Sequence, residues 1–167
     1  PFFAKRFGKR AVLMGSMLIQ AVGLLVIYFA PFDNITMVLV GCWIFGLFNV
    51  GFPMTLSMVA GSVDYMELKT GIRTDGTAYA TYGLATKVGN AIGGSIGVLL
   101  LAAFGYVANA EQTVEAMNGI NIVVNLIPAI LFILGAAACL LWDMSDKDAD
   151  EIREKLKAKN NQTQETV

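Results

Sequence analysis

Residues 11–30 read AVLMGSMLIQAVGLLVIYFA, a stretch with no charged side chain in which only Ser16, Gln20 and the amphipathic Tyr28 carry polar atoms. About 20 such residues, at 1.5 Å each, cross a hydrocarbon core roughly 30 Å thick. A helix of a soluble bundle would show a polar face, and this one has none. The cluster Pro31, Phe32, Asp33, Asn34 then breaks the helix and turns the chain. Working outward, three further segments have the length and composition of spans: residues 35–60, residues 77–104, which exceed what the bilayer requires, and residues 120–142. The chain is expected to be an all-α polytopic membrane protein, with residues 1–142 forming a transmembrane region of four helices and residues 143–167 a tail. With 56% hydrophobic and 15% charged residues, the composition suits lipid as the solvent rather than water.

The basic residues set an orientation. Lys5, Arg6, Lys9 and Arg10 precede the first span, Lys69 and Arg73 precede the third, and Lys147, Arg153, Lys155, Lys157 and Lys159 lie in the tail. The turn at 31–34 and the loop 105–119 hold none, so eleven of the twelve Lys and Arg residues fall on one side. By the positive-inside rule that side is cytoplasmic, and both ends of the chain are expected there. Pro1 stands where a start methionine would be, and no signal-peptide pattern precedes the basic stretch, so we expect a piece of a longer chain.

Outside the membrane, Asn109 with Gln112, and Asn118 with Gly119, are read as the cap and the stop of a short helix in the outer loop. In the tail, Ser145 with Asp148 resembles a capping box, and Ile152 and Leu156 share one face of a charged amphipathic helix ending near Lys159, resting on the cytoplasmic surface. Residues 160–167 are polar and expected to be disordered. Cys42 and Cys139 fall in different halves of the membrane, so they are expected to pack rather than to form a disulfide.

Lys87 is the one Lys or Arg inside a span, and an ionisable group at membrane depth is a functional candidate by default. Counted from Thr77 it lies about 15 Å deep, too far to reach water; counted back from Phe104 it could snorkel to the inner interface. At about 100° per residue, Tyr79, Gly83, Thr86, Lys87 and Asn90 fall within an arc of about 100°, a polar stripe suited to the wall of a water-filled cavity. Gly89, Gly93 and Gly97 follow at four-residue spacing, with Gly94 beside them, which lets another helix come close. In the second span, Pro53 removes a backbone donor and frees the carbonyl of Asn49, so a kink or broken segment is expected there. Trp43 and Trp142 are read as packing residues or interfacial anchors.

The loop Val63-Asp64-Tyr65-Met66-Glu67-Leu68-Lys69-Thr70-Gly71-Ile72-Arg73 resembles the V-D-Y-x-E-x-K-x-x-x-R signature of the glycoside, pentoside and hexuronide:cation symporters, the family of the melibiose carrier. The resemblance continues through Lys87, through Gly105-Tyr106 and Asn109-Ala110-Glu111-Gln112, and into the tail. It implies that the four spans match helices 9 to 12 of a twelve-helix major-facilitator-type transporter in a bacterial inner membrane. Lys87 then lies near the sugar and cation sites, Phe52 contacts the sugar, and Gly83 and Thr86 lie where that helix meets substrate; Asn90, on the same polar stripe, is a substrate-binding candidate with them. Asp64, Tyr65, Glu67, Lys69 and Arg73 would form a cytoplasmic gate. Gly61 stands where the family often has a further aspartate, so a complete gate network is not implied.

The function implied is symport of a glycoside, pentoside or hexuronide with Na⁺ or H⁺, with the sugar, the coupling cation, the lipid bilayer and the N-terminal helices of the same protein as partners. The cation would be bound mainly by that N-terminal half, and no cofactor is implied. A non-transporting membrane assembly or regulatory subunit, using the glycine-rich face to hold a partner, is the alternative. No enzyme is expected, since there is no histidine, no metal-ligand cluster and no nucleophile with a positioned base. The net charge of -1 gives no reason to expect nucleic acid as a partner.

Overall fold

A computed structural model describes residues 6–142 and 146–165 of the chain. The described residues form helices α1 (Lys9–Tyr28), α2 (Ile35–Leu47), α3 (Gly51–Thr70), α4 (Asp75–Ala103), α5 (Val114–Asn121), α6 (Ile127–Ala138) and α7 (Asp146–Glu165). A π-helical turn, Ile122–Leu126, joins α5 to α6, and a 3₁₀ turn, Cys139–Leu141, follows α6. Four stretches are long and apolar enough to cross a membrane: Lys9–Tyr28, Ile35–Thr70, Asp75–Ala103 and Val114–Leu141. The four-span architecture is therefore observed.

Several boundaries differ from expectation, each for a local reason. The second span is broken over Phe48–Val50, upstream of Pro53. Helix α3 restarts at Gly51, which puts Pro53 in its first turn, where backbone N–H groups have no intrahelical acceptor and a proline loses nothing. The signature read as a loop is mostly helix: α3 continues to Thr70, about 15 Å beyond residue 60, before Gly71 ends it with φ 74° and an N–H donated to the Glu67 carbonyl at 2.8 Å.

The outer loop also departs. Asn109 does not cap a helix; it adopts φ 60°, and Gln112 braces the turn by donating to the carbonyls of Val107 and Ala110, each at 2.6 Å. Thr113 is the cap, its Oγ1 accepting from Ala116 N at 3.1 Å. Gly119 stops nothing, because α5 runs through the π turn into the fourth span. Pro128 sits just past that turn and lacks the N–H that a regular α-helix would require there. At the far end of α4, Gly105 (φ 78°) lets its own N–H reach Ala102 and that of Tyr106 reach Leu101, a Schellman ending.

The core lies where α1 meets α2 and α6, around Ala21, Leu24 and Ala129. Phe45 and Phe132 meet edge to face, centroids 6.0 Å apart. The helices α1 and α2 cross backbone to backbone: a Cβ on Gly23 would lie 2.8 Å from Phe45 N and 2.9 Å from the Gly41 carbonyl oxygen. Arg10 donates to the Leu140 carbonyl at 2.8 Å, so the start of the first span and the end of the last meet on one side. Cys42 is exposed, so packing within this chain does not explain it; Cys139 is half-buried, and both thiols are free. Trp43 is likewise exposed.

Helix α7 docks against α3 through Ala149, Ile152 and Leu156, all buried, with Arg153 donating to Asp64 at 3.1 Å. The shared face of Ile152 and Leu156 is as expected, but its support is protein. The helix also continues past Lys159 to Glu165, through a stretch without Gly or Pro; Ser145, the expected cap, and residues 166–167 lie outside the described residues.

Two measurements follow. Gly23→Ala in the intact protein should lower stability by about 1–3 kcal/mol, since a backbone has to move to admit one methyl; an unchanged thermal midpoint in detergent would contradict the close crossing. For the tail, Ile152→Ala should cost about 2 kcal/mol or more, and Arg153→Ala under about 1 kcal/mol because the guanidinium is partly exposed. Hydrogen exchange over residues 149–156 should therefore quicken far more in the first variant, and the reverse order would show that charge, not burial, holds the tail.

Candidate functional site

Helix α4 is the least covered element of the chain. None of its residues is buried among the described residues, and its neighbours there are α3, α5 and the π turn. At 29 residues it is about 44 Å long, so part of it extends past the hydrocarbon core. Thr86 and Thr81 satisfy their hydroxyls within the helix, donating to the carbonyls of Tyr82 and Thr77 at 2.9 and 2.8 Å. Tyr79, Thr86, Lys87 and Asn90 are exposed and Gly83 is half-covered, so the polar stripe lies open along its length. Lys87 makes no hydrogen bond or ion pair among the described residues. The helical projection carries the same face onward through Gly93, Gly94 and Gly97, where an added Cβ would meet nothing within 4 Å.

Phe52 stands on a different element, in the first turn of α3 just below the break, and is 67% exposed. Among the described residues no hydrogen bond or ring contact joins it to Lys87. The structure thus presents the expected substrate residues on two exposed surfaces rather than in one enclosed pocket. Phe52 and Asn49 owe their presentation to the break, and the break has its own brace. Gln20, in the middle of α1 and 3% exposed, donates its amide to the Phe48 carbonyl at 2.9 Å.

The expected gate residues separate into two groups. Asp64 and Glu67, one turn apart on α3, face Arg73 across the Gly71 turn: Arg73 Nη1 lies 2.8 Å from Glu67 Oε2 and 3.9 Å from Asp64 Oδ1. Arg73 also pairs with Asp75 in the first turn of α4, and Arg153 of α7 closes on Asp64 at 3.1 Å. The hydrogen bond and charge of Asp75, with the charge of Glu67, hold the Arg73 guanidinium above its ordinary pKa, so it stays cationic throughout. Tyr65 and Lys69 point elsewhere, the ammonium lying 5.8 Å from the ring centroid. Three helices are therefore tied at one point, α3 and α4 through Arg73 and α7 through Arg153.

Asp75 and Arg153 are additions to the expected set. Asp75 could have been found as an acid in the first turn of a helix, where the macrodipole favours it. Arg153 had no such mark beyond lying beside Ile152 on the tail helix. Among the described residues no group of three or more His, Cys, Asp or Glu could hold a metal ion.

A family model described as MFS/sugar transport protein matches residues 1–146. The chain is 37% identical over 145 residues to the isoprimeverose transporter of Lactiplantibacillus pentosus, covering 85% of this chain and 30% of that protein. It is 34% identical over 143 residues to the uncharacterized symporter YnaJ of Bacillus subtilis (strain 168), 84% of this chain and 30% of that one. It is 30% identical over 154 residues to the glucuronide carrier protein homolog of Escherichia coli (strain K12), 91% of this chain and 34% of the relative. The chain thus spans about a third of the length of these curated relatives. No solved structure matches it. These relatives carry the names of transporters rather than of enzymes, and the chain belongs to the family of MFS sugar transport proteins, as its likeness to the glycoside, pentoside and hexuronide symporters led us to expect.

Proposed function

We propose that this chain is the C-terminal third of a symporter that moves a glycoside, pentoside or hexuronide with Na⁺ or H⁺ by alternating access. The observation that supports it is the open polar stripe from Tyr79 to Asn90 on a membrane-spanning helix of a chain from a sugar-transporter family. Lipid would penalise such a face, so it belongs against water or against other helices of the same protein. In this reading the four spans are helices 9 to 12. Both ends are cytoplasmic, in a bacterial inner membrane, and the N-terminal helices supply the opposite wall of the cavity and most of the cation site. The names of two relatives, an isoprimeverose transporter and a glucuronide carrier homolog, favour a glycoside as cargo.

Within that cavity Lys87 donates to sugar hydroxyls or sits beside a cation-site carboxylate, Asn90 and Thr86 border the sugar, and Gly83 leaves room for it. Phe52 offers an apolar ring to a sugar face. The Asp64, Glu67 and Arg73 cluster, with Tyr65 and Lys69 on its flank, is the inner gate, whose ion pairs exchange partners as the halves rock.

The test restores the N-terminal region and measures uptake of labelled sugars under an imposed ion gradient. Uptake that follows the gradient is the expected result, and inertness across the whole panel would sink the proposal. In the same protein, Lys87→Ala should weaken sugar binding about 10- to 100-fold, the scale of one charged hydrogen bond, while membrane insertion is unchanged. Unaltered binding would return Lys87 to an interfacial role.

A further inference from the structure

The break at Phe48–Val50 lies near the middle of the membrane. Its brace, Gln20, is nine residues into the uncharged stretch 11–30, about 14 Å deep in a core about 30 Å thick. At this depth lipid offers the break no hydrogen-bond partners, so its backbone groups draw on the protein or on water from the cavity side. Its own chain supplies only short-range ones: Asn49 N–H to the Gly46 carbonyl at 3.3 Å, and Val50 N–H to the Phe48 carbonyl at 2.9 Å. Gln20 adds the contact from outside, across 28 residues of sequence, and its side chain is almost wholly buried.

The two halves joined at the break are held differently. Above it, α2 is locked to α1 at Gly23 and Gly41 and meets α6 through Phe45. Below it, α3 carries Phe52 in its first turn, then the Asp64 and Glu67 cluster, and α7 docked on its side. The upper half is part of the core, while the lower half carries the residues that a transport cycle would move.

We infer that Gln20 is a positioning residue for transport: its amide pins the Phe48 carbonyl at the break, so that α3 swings about a fixed pivot and carries Phe52 and the ion cluster with it. This rests on the transporter reading for its purpose, but the pinning itself is a property of the helix pair. An ordinary packing role would need only a side chain of this volume. The pinning role needs the donor, and methionine has nearly the same length without one.

The test uses the intact protein with its native cysteines replaced and Asn49→Cys introduced beside the break. Gln20→Met makes the first span more apolar, so insertion is not at risk; Gln20→Asn, whose amide is one methylene short, serves as a second variant. The rate at which a water-soluble maleimide labels position 49 should change roughly five- to tenfold in Gln20→Met, the scale set by one lost hydrogen bond. Labelling of Val107→Cys on the outer loop should not change. Maximal sugar uptake should fall by a comparable factor, with KM shifted less than about threefold, and Gln20→Asn should follow in the same direction. Unchanged labelling, or a lower melting point with maximal uptake intact, would overturn the inference and leave Gln20 a packing residue. If the intact protein takes up no sugar at all, the transporter reading fails, and the labelling comparison still decides whether Gln20 pins the break.

Discussion

Within a bilayer a backbone carbonyl has no water to bond to, so each one left by a helix end or a break must be met by the protein or carry a cost of several kcal/mol. Much of this chain's architecture follows from that constraint. Regular helix meets it over most of the four spans. At three points where the helical ladder stops, a side chain from a neighbouring helix supplies the donor: Asn121 to the Tyr28 carbonyl at the end of α1, Arg10 to Leu140 at the end of the fourth span, and Gln20 to Phe48 at the mid-membrane break. Asn125 extends the first of these by donating to Asn121 across the π turn at 2.8 Å. Each bond also fixes one helix against another, so satisfying the backbone and assembling the bundle are here the same event.

The same constraint explains the contrast between the compact and open parts of the molecule. Helices α1, α2 and α6 bury glycine and alanine contacts against one another, whereas α4 exposes both its polar stripe and its glycines. A helix with Lys87 and Asn90 on one face is a poor neighbour for lipid, and nothing among the described residues buries it. Its inner end is nevertheless tied down, by Arg73 bridging Glu67 and Asp75 and by Arg153 reaching Asp64 from the tail. Such exposed pairs are screened by solvent and contribute little stability. Their worth is therefore geometric: they join three helices at one point, as the proposed gate requires.

What could be read from residues alone follows the same physics. The four spans and the amphipathic tail were legible because an uncharged run of 20 residues, or Ile152 and Leu156 four apart, states its solvent without reference to the rest of the fold. Asp64, Glu67 and Arg73 were named through the resemblance to a family signature, and the structure brings these three together across the Gly71 turn, while Tyr65 and Lys69, named with them, make no ion pair there. Pairings between distant segments were not legible. Gln20 looked like an incidental polar residue in an apolar span, and Arg153 like one charge among many in the tail. The break itself was expected at Pro53, and it lies upstream because proline is harmless in a first turn. Asn109 fits a cap by sequence pattern, but Thr113 does the capping and Gln112 holds the preceding turn.

The central claim is that α4 presents one wall of a water-filled sugar cavity. A cysteine scan along residues 75–103 of the intact protein, labelled by a membrane-impermeant thiol reagent with and without sugar, tests it most directly. The account predicts labelling that recurs with helical period at positions 79, 83, 86, 87 and 90 and is suppressed by the transported sugar, with the opposite face silent. Labelling without that period, or indifferent to every sugar, would contradict it.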